Sequence, residues 1–214
     1  MAVSICIEDV GAIAALDVQG IALVRGDRLV LRDLDFHVTA GETLAISGRN
    51  GAGKTSVLRA LAGFLQPRSG SIVLRMADGA VISEAEERRL HVGWLGHQDG
   101  LKPSLTPLEH LRSHSRFYQC KDDIDDALSR TGLAHLREFP VQYLSAGLRR
   151  RLALARLILG ARSLWLLDEP FSALDQQGKA IVRQLAESHC ATGGMLIAAT
   201  HEPLGLRGAA IELS

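Results

Sequence analysis

The chain is 214 residues long, 47% hydrophobic and 22% charged, which supplies a sizeable core and excludes disordered and fibrous classes. Its 24 basic and 24 acidic residues cancel, so no overall positive field holds it to nucleic acid or to an acidic membrane. Cys6, Cys120 and Cys190 are scattered and odd in number, which predicts reduced core thiols and a cytoplasmic location rather than a disulfide framework. The N-terminal stretch has no Lys or Arg before Arg25, and Glu8 and Asp9 interrupt it, unlike a signal peptide. No apolar run reaches membrane-spanning length, and Arg156 breaks even the run 152–159. The chain reads as soluble, reaching a membrane only through a partner.

Residues 1–14 read as an extension without a clear pattern. From Ala15 to Val38 apolar residues alternate in short runs, the period-two pattern of strands, with turns expected at Gly20 and at Arg25-Gly26-Asp27. Residues 43–47 form an apolar strand running into Gly48, and 56–65 a helix closed by Pro67. A hairpin is expected from 71–73 and 80–82 with its turn at Asp78-Gly79, then a buried strand over 91–95. Thr106-Pro107-Leu108-Glu109 places an N-cap residue, a proline and a glutamate where a helix start needs them. Helical stretches continue through Ala127, Leu136 and 152–159, and the cluster from Lys121 to Asp126 reads as a solvated helix start. Strand 163–167, helix 176–189, strand 195–199 and a last strand near 209–213 complete the alternation. The fold class is α/β: a β-rich start, a mainly parallel core and an inserted helical segment.

Gly48-Arg49-Asn50-Gly51-Ala52-Gly53-Lys54-Thr55 matches G-x-x-x-x-G-K-[ST] between an expected strand and an expected helix. Glycines let backbone N–H groups wrap a phosphate, the helix start favours the anion, and the lysine reaches the terminal phosphates. Thr55 is placed to give its hydroxyl to Mg²⁺, and Ser56 follows it in the same turn. Leu164-Trp-Leu-Leu-Asp168-Glu169-Pro170 is an apolar strand ending in two carboxylates at the sheet edge where α/β ligands sit. Asp168 suits the metal shell, and Glu169 a general base that orients water.

Leu144-Ser145-Ala146-Gly147, followed by Arg149–Arg151, resembles the signature segment of ATP-binding-cassette (ABC) ATPases. Gln98 resembles that family's glutamine loop, Ser172-Ala-Leu-Asp175 its aspartate loop, and Thr200-His201 its histidine switch. The stretch from Trp94 to Thr106, with the Leu-Ser-Ala-Gly form, resembles the ATPase subunits of bacterial haem exporters serving c-type cytochrome maturation. The resemblance implies a P-loop NTPase fold over residues 15–214, with an N-terminal antiparallel β part and a helical subdomain at roughly 99–160. It implies ATP and Mg²⁺ as ligands, Glu169, His201 and Gln98 as catalytic residues, and Thr55, Gln98 and Asp168 around the metal. It further implies a homodimer with ATP sandwiched between the phosphate loop of one copy and Ser145 and Gly147 of the other. An integral membrane subunit is expected against the region 99–118, with the chain peripheral at the cytoplasmic face of the inner membrane. Alternatives are the ATPase of another small exporter, or a soluble ABC ATPase acting on DNA or ribosomes; the neutral charge argues against a nucleic-acid partner.

Three positions depart from the family pattern. Ala146 and Leu148 stand where Gly and Gln are usual, and Leu148 has no side-chain hydrogen bond to offer. Arg25 stands where an adenine-stacking aromatic is common; its guanidinium either stacks on the base or is a solvated turn residue. His91, His97, His110 and His114 suggest haem ligation, but are read as solvated surface histidines.

Overall fold

The computed structural model describes residues 11–118 and 123–213. Residues 1–10, Cys120 and the Lys121-Asp122 part of the acidic cluster lie outside the described residues.

Two sheets form the frame. Strands β1 (Ile13–Arg25), β2 (Arg28–Thr39), β4 (Ser69–Met76) and β5 (Val81–Ile82) make an antiparallel sheet in the order β2-β1-β4-β5. Strands β3 (Thr43–Gly48), β6 (Val92–Leu95), β7 (Leu164–Asp168), β8 (Met195–Ala199) and β9 (Gly208–Leu213) make a parallel sheet in the order β6-β7-β8-β3-β9. Helices α1 (Lys54–Leu61), α2 (Ala85–Arg88), α3 (Pro107–Tyr118), α4 (Ile124–Arg130), α5 (Ala146–Gly160) and α6 (Gln176–Ala191) connect them.

Burial follows the pleat. Every residue of β7 and β8 is buried, and successive side chains go to opposite cores. Leu164, Leu166, Met195 and Ile197 pack with α1 and the antiparallel sheet, whereas Trp165, Leu167, Leu196 and Ala198 pack with α5 and α6. Burying each such Leu or Ile stabilises the fold by about 2 kcal/mol. A third core lies among α3, α4 and α5, around Leu111, Leu128, Leu152 and Leu159. Helix α5 belongs to two of these cores, because Leu154 and Leu157 face the sheet while Leu152 and Leu159 face the other helices.

Several expectations shift in detail. Gly20 does not turn the chain. It sits at a bulge inside β1, where the register with β2 slips between Val18 and Ile21, and its N–H donates to Asp35 Oδ1 at 2.7 Å. β1 begins at Ile13, which is buried and pairs with Met76, upstream of Ala15. α1 ends at Leu61, well before Pro67. The start of α3 holds as expected: Thr106 N–H donates to Glu109 Oε2 at 2.9 Å, and Glu109 N–H donates to Thr106 Oγ1 at 3.2 Å. Asp123 caps α4 by accepting the Asp125 N–H at 2.8 Å.

Candidate active site

The loops after β3, β6, β7 and β8 all leave the carboxyl edge of the parallel sheet, and they carry the residues singled out in the sequence. After β3 the chain wraps into the glycine loop and enters α1 through Gly53, whose φ of 101° is left-handed. A Cβ at Gly53 would stand 2.6 Å from Val30 Cγ1, so the start of β2 seats the loop and no larger residue fits. No side chain caps α1, and its first turn has no acidic residue. Its leading N–H groups and the positive end of its dipole therefore suit an anion. Arg49, Asn50 and Gly51 are exposed at the loop tip, whereas Ala52 packs on the core and Ser56 is buried.

Lys54 is buried, and its Nζ donates to Gly48 O at 2.7 Å and to Arg49 O at 3.3 Å, which holds the ammonium at the mouth of the loop. Nζ also lies 3.1 Å from His201 Nε2, and that same ring nitrogen lies 3.5 Å from Glu169 Oε1. With its proton on Nδ1 the ring accepts from Lys54; with its proton on Nε2 it faces the carboxylate. Thr55 Oγ1 donates to Asp168 Oδ2 at 2.9 Å. A hydroxyl and a carboxylate meeting beside a phosphate loop are the hard oxygen donors that Mg²⁺ takes when phosphates and waters complete its shell. Among the described residues no group of three or more His, Cys, Asp or Glu forms a closed metal cage.

Asp168 is 4% exposed at the end of β7, and Glu169 follows with φ 49°. A non-glycine residue in that left-handed region costs about 1 kcal/mol. The strain is held from both sides of the residue. Glu169 N–H donates to Ala199 O at 2.8 Å, and Glu169 O accepts from Arg150 Nη2 at 2.9 Å. Thr200 is fixed beside them, its N–H donating to Ile46 O at 3.1 Å.

Other residues stand apart. Ser145 caps α5 by accepting the Leu148 N–H at 3.2 Å, and its side chain is exposed. A Cβ on Gly147 would come 2.9 Å from Ala173 O, so the glycine lets the aspartate loop close on the helix. Ser145 and Gly147 line a cavity of about 470 Å³ with His135, Arg151, Asp175 and Gln177, and no residue of the phosphate loop reaches it. Gln98 is exposed and lines a separate groove of about 770 Å³ with Phe64, Trp94, Phe117 and Tyr118. Arg25 is exposed at the β1–β2 turn, opposite Arg28.

His97 is exposed as expected, but the other three histidines correct the expectation of solvated side chains. His91 and His110 are buried, and the His110 ring lies 3.0 Å from both the N and the O of Lys102. His114 is tucked beside Arg156 and Arg162; burial first, then those charges, push its pKa down to about 4. His110 is held by the Lys102 backbone at the start of α3, and His114 lines the groove with Arg156 and Gly160 of α5.

No pattern in the sequence points to the role of Arg150. Three arginines run together at 149–151, and only the fold separates their duties. Arg149 donates to Leu144 O at 2.9 Å, Arg151 to Asp175 Oδ1 at 2.8 Å, and Arg150 to the ends of β6 and β7.

Comparisons with known proteins agree with this geometry. The ABC transporter family model matches residues 31–172. The chain is 47% identical over 189 residues to the cytochrome c biogenesis ATP-binding export protein CcmA of Rhodopseudomonas palustris (strain HaA2), covering 88% of this chain and 92% of that one. It is 43% identical over 198 residues to the protein of the same name from Methylococcus capsulatus, covering 91% and 95%. A putative ABC transporter ATP-binding protein from Pyrococcus furiosus shares the fold with a TM-score of 0.81 at 22% identity, covering 94% of this chain and 98% of that one. The nucleotide-binding site is thus that of an ATPase, and the chain belongs to the ABC transporter family, alongside the CcmA proteins.

Proposed function

We propose that this chain is the ATP-hydrolysing, energy-coupling subunit of a bacterial transporter complex that delivers haem for c-type cytochrome biogenesis. The observation that carries the reading is the convergence of Lys54, Thr55, Asp168, Glu169 and His201 at one sheet edge, in a chain so like the CcmA proteins.

In this reading the residues from Gly48 to Ser56 bind the β- and γ-phosphates of ATP through backbone N–H groups and the Lys54 ammonium. Thr55 and Asp168 would hold Mg²⁺, with Gln98 a further contact once its loop moves in, and the bound ion would supply positive charge against the phosphates. Glu169 takes the proton of the water that attacks the γ-phosphorus, and the bond to the bridging β–γ oxygen breaks. His201 orients Glu169 and the γ-phosphate, its Nε2 standing between Lys54 and the carboxylate. Arg25 reaches toward the base.

Ser145 and Gly147 serve a second copy of the chain. Their exposed cavity, remote from this chain's own loop, supports an ATP held between two copies, with residues 15–214 acting as one nucleotide-binding domain and 99–160 as its helical subdomain. The membrane subunit docks at the groove of Gln98, Phe64 and Phe117, where exposed aromatics meet arginines. No helix among the described residues is long and apolar enough to cross a membrane, which supports peripheral attachment at the cytoplasmic face of the inner membrane.

Haem staining of membrane c-type cytochromes tests the reading in the source bacterium. Deletion of the chain is expected to abolish the stain, with rescue by wild type and none by Glu169→Gln. Unchanged staining in the deletion strain would contradict the haem assignment.

A further inference from the structure

Arg150 joins two loops that the sequence keeps far apart. It sits in the first turns of α5 with 3% of its surface exposed. On one side Nη1 donates to Gly96 O at 2.6 Å and to Asp99 Oδ1 at 3.0 Å, on either side of Gln98. On the other side Nη2 donates to Asp168 O at 2.5 Å and to Glu169 O at 2.9 Å. A planar guanidinium with a fixed fork of donors can serve both pairs at once, which an ammonium cannot.

We propose that Arg150 is a positioning residue for hydrolysis, one that makes the orientation of Glu169 depend on where the Gln98 loop stands. The inference rests on Glu169 acting as the base. The Glu169 peptide is fixed by Ala199 O on its N–H and by Arg150 on its carbonyl, with φ at 49°. Fixing both flanks fixes the direction of Cβ, and hence where the carboxylate starts. Loss of the Arg150 bonds leaves the carbonyl to the Ser172 N–H alone, at 3.1 Å, and lets the strained backbone relax.

The other end of the link is equally defined. Arg156, two turns further along α5, donates to Asp99 O and to Gly100 O, the latter at 3.2 Å. The loop thus moves with α5 or not at all, and Arg150 carries any movement to the β7 end. The neighbouring arginines cannot substitute, since Arg149 and Arg151 are bonded to Leu144 and Asp175. Asp99 supplies the counter-charge that lets a cation sit at this depth.

The test compares the full-length wild type with Arg150→Gln, Arg150→Lys, Glu169→Gln and the double variant Arg150→Gln/Glu169→Gln. Steady-state kcat and KM, the ATP Kd and the unfolding midpoint are read for each. Arg150→Gln is expected to lower kcat by about 100-fold, the effect of misplacing a catalytic group by about 1 Å, with the ATP Kd unchanged. Arg150→Lys recovers part of the loss, and the double variant is no slower than Glu169→Gln alone, because both act on one group.

Should Arg150→Gln fail to fold, Asp99→Asn weakens only the charged half of the link; about a 10-fold fall in kcat at constant Kd is expected. Near-wild-type kcat in Arg150→Gln, or in Asp99→Asn as its stand-in, beside an inactive Glu169→Gln would overturn the proposal while leaving the base in place. So would losses that multiply in the double variant. Wild-type turnover by Glu169→Gln would remove the base itself, and this inference with it.

Discussion

The carboxyl edge of the parallel sheet and the start of α5, the two halves of the proposed ATP site, are built in opposite ways. At the sheet edge Lys54, Thr55, Asp168, Glu169 and His201 are bonded to one another or to nearby carbonyls. At the start of α5, Ser145 makes a single cap bond and faces solvent in an open cavity. In the proposed function the sheet edge binds the nucleotide and the α5 edge is completed by a second copy of the chain. On that proposal binding becomes movement, because ligand contacts from both halves hold a closed state that loses them on hydrolysis.

The sheet-edge half gives the largest expected effects. Glu169→Gln keeps the size and polarity of the side chain but cannot take a proton, so turnover falls by about 10³-fold while ATP binding persists. Phosphate release under steady-state conditions measures the first, and a nucleotide titration the second. Lys54→Ala removes a charge-assisted donor, so ATP binding weakens by about 2 kcal/mol, read in the same titration.

The α5 half answers differently. Ser145→Ala removes the cap and costs about 1 kcal/mol of stability by chemical denaturation. The same variant is expected to bind ATP as tightly as wild type and to lose ATP-driven association between copies. A weakened ATP Kd in Ser145→Ala would erase the distinction between the two halves.

The gentlest effect comes from the groove that Gln98 lines. His114 stays neutral in the folded protein until about pH 4, whereas in the unfolded chain it takes a proton near its ordinary 6.5. The unfolded state therefore binds more protons in that window. Stability is complete above pH 6.5 and falls as the pH drops toward 4. His91, His110 and His189 are also lowered, chiefly by burial, and tilt stability the same way. His114→Asn should make the slope shallower without abolishing it, as measured by urea unfolding across that range.

What the sequence made legible follows the same division. The glycine loop, the β7 carboxylates and the Thr106/Glu109 start of α3 are local patterns whose physics is complete within a few residues, and the structure places them as read. The burial of His110 and His114 depends on the Lys102 loop and on α5, which no spacing on α3 reveals. The Gly20 bulge needed its partner Asp35 on β2. The Arg150 bridge needed three distant segments to meet, and a run of three arginines offers no sign of which one reaches the ends of β6 and β7.

The division itself is tested most directly by sedimentation of the Glu169→Gln protein with and without ATP, alongside Glu169→Gln/Ser145→Arg. Two incomplete half-sites predict a dimer on adding ATP to the first, and in the second a monomer that still binds nucleotide. A Glu169→Gln protein that stays monomeric with ATP bound, or a Ser145→Arg form that dimerises equally well, would contradict it.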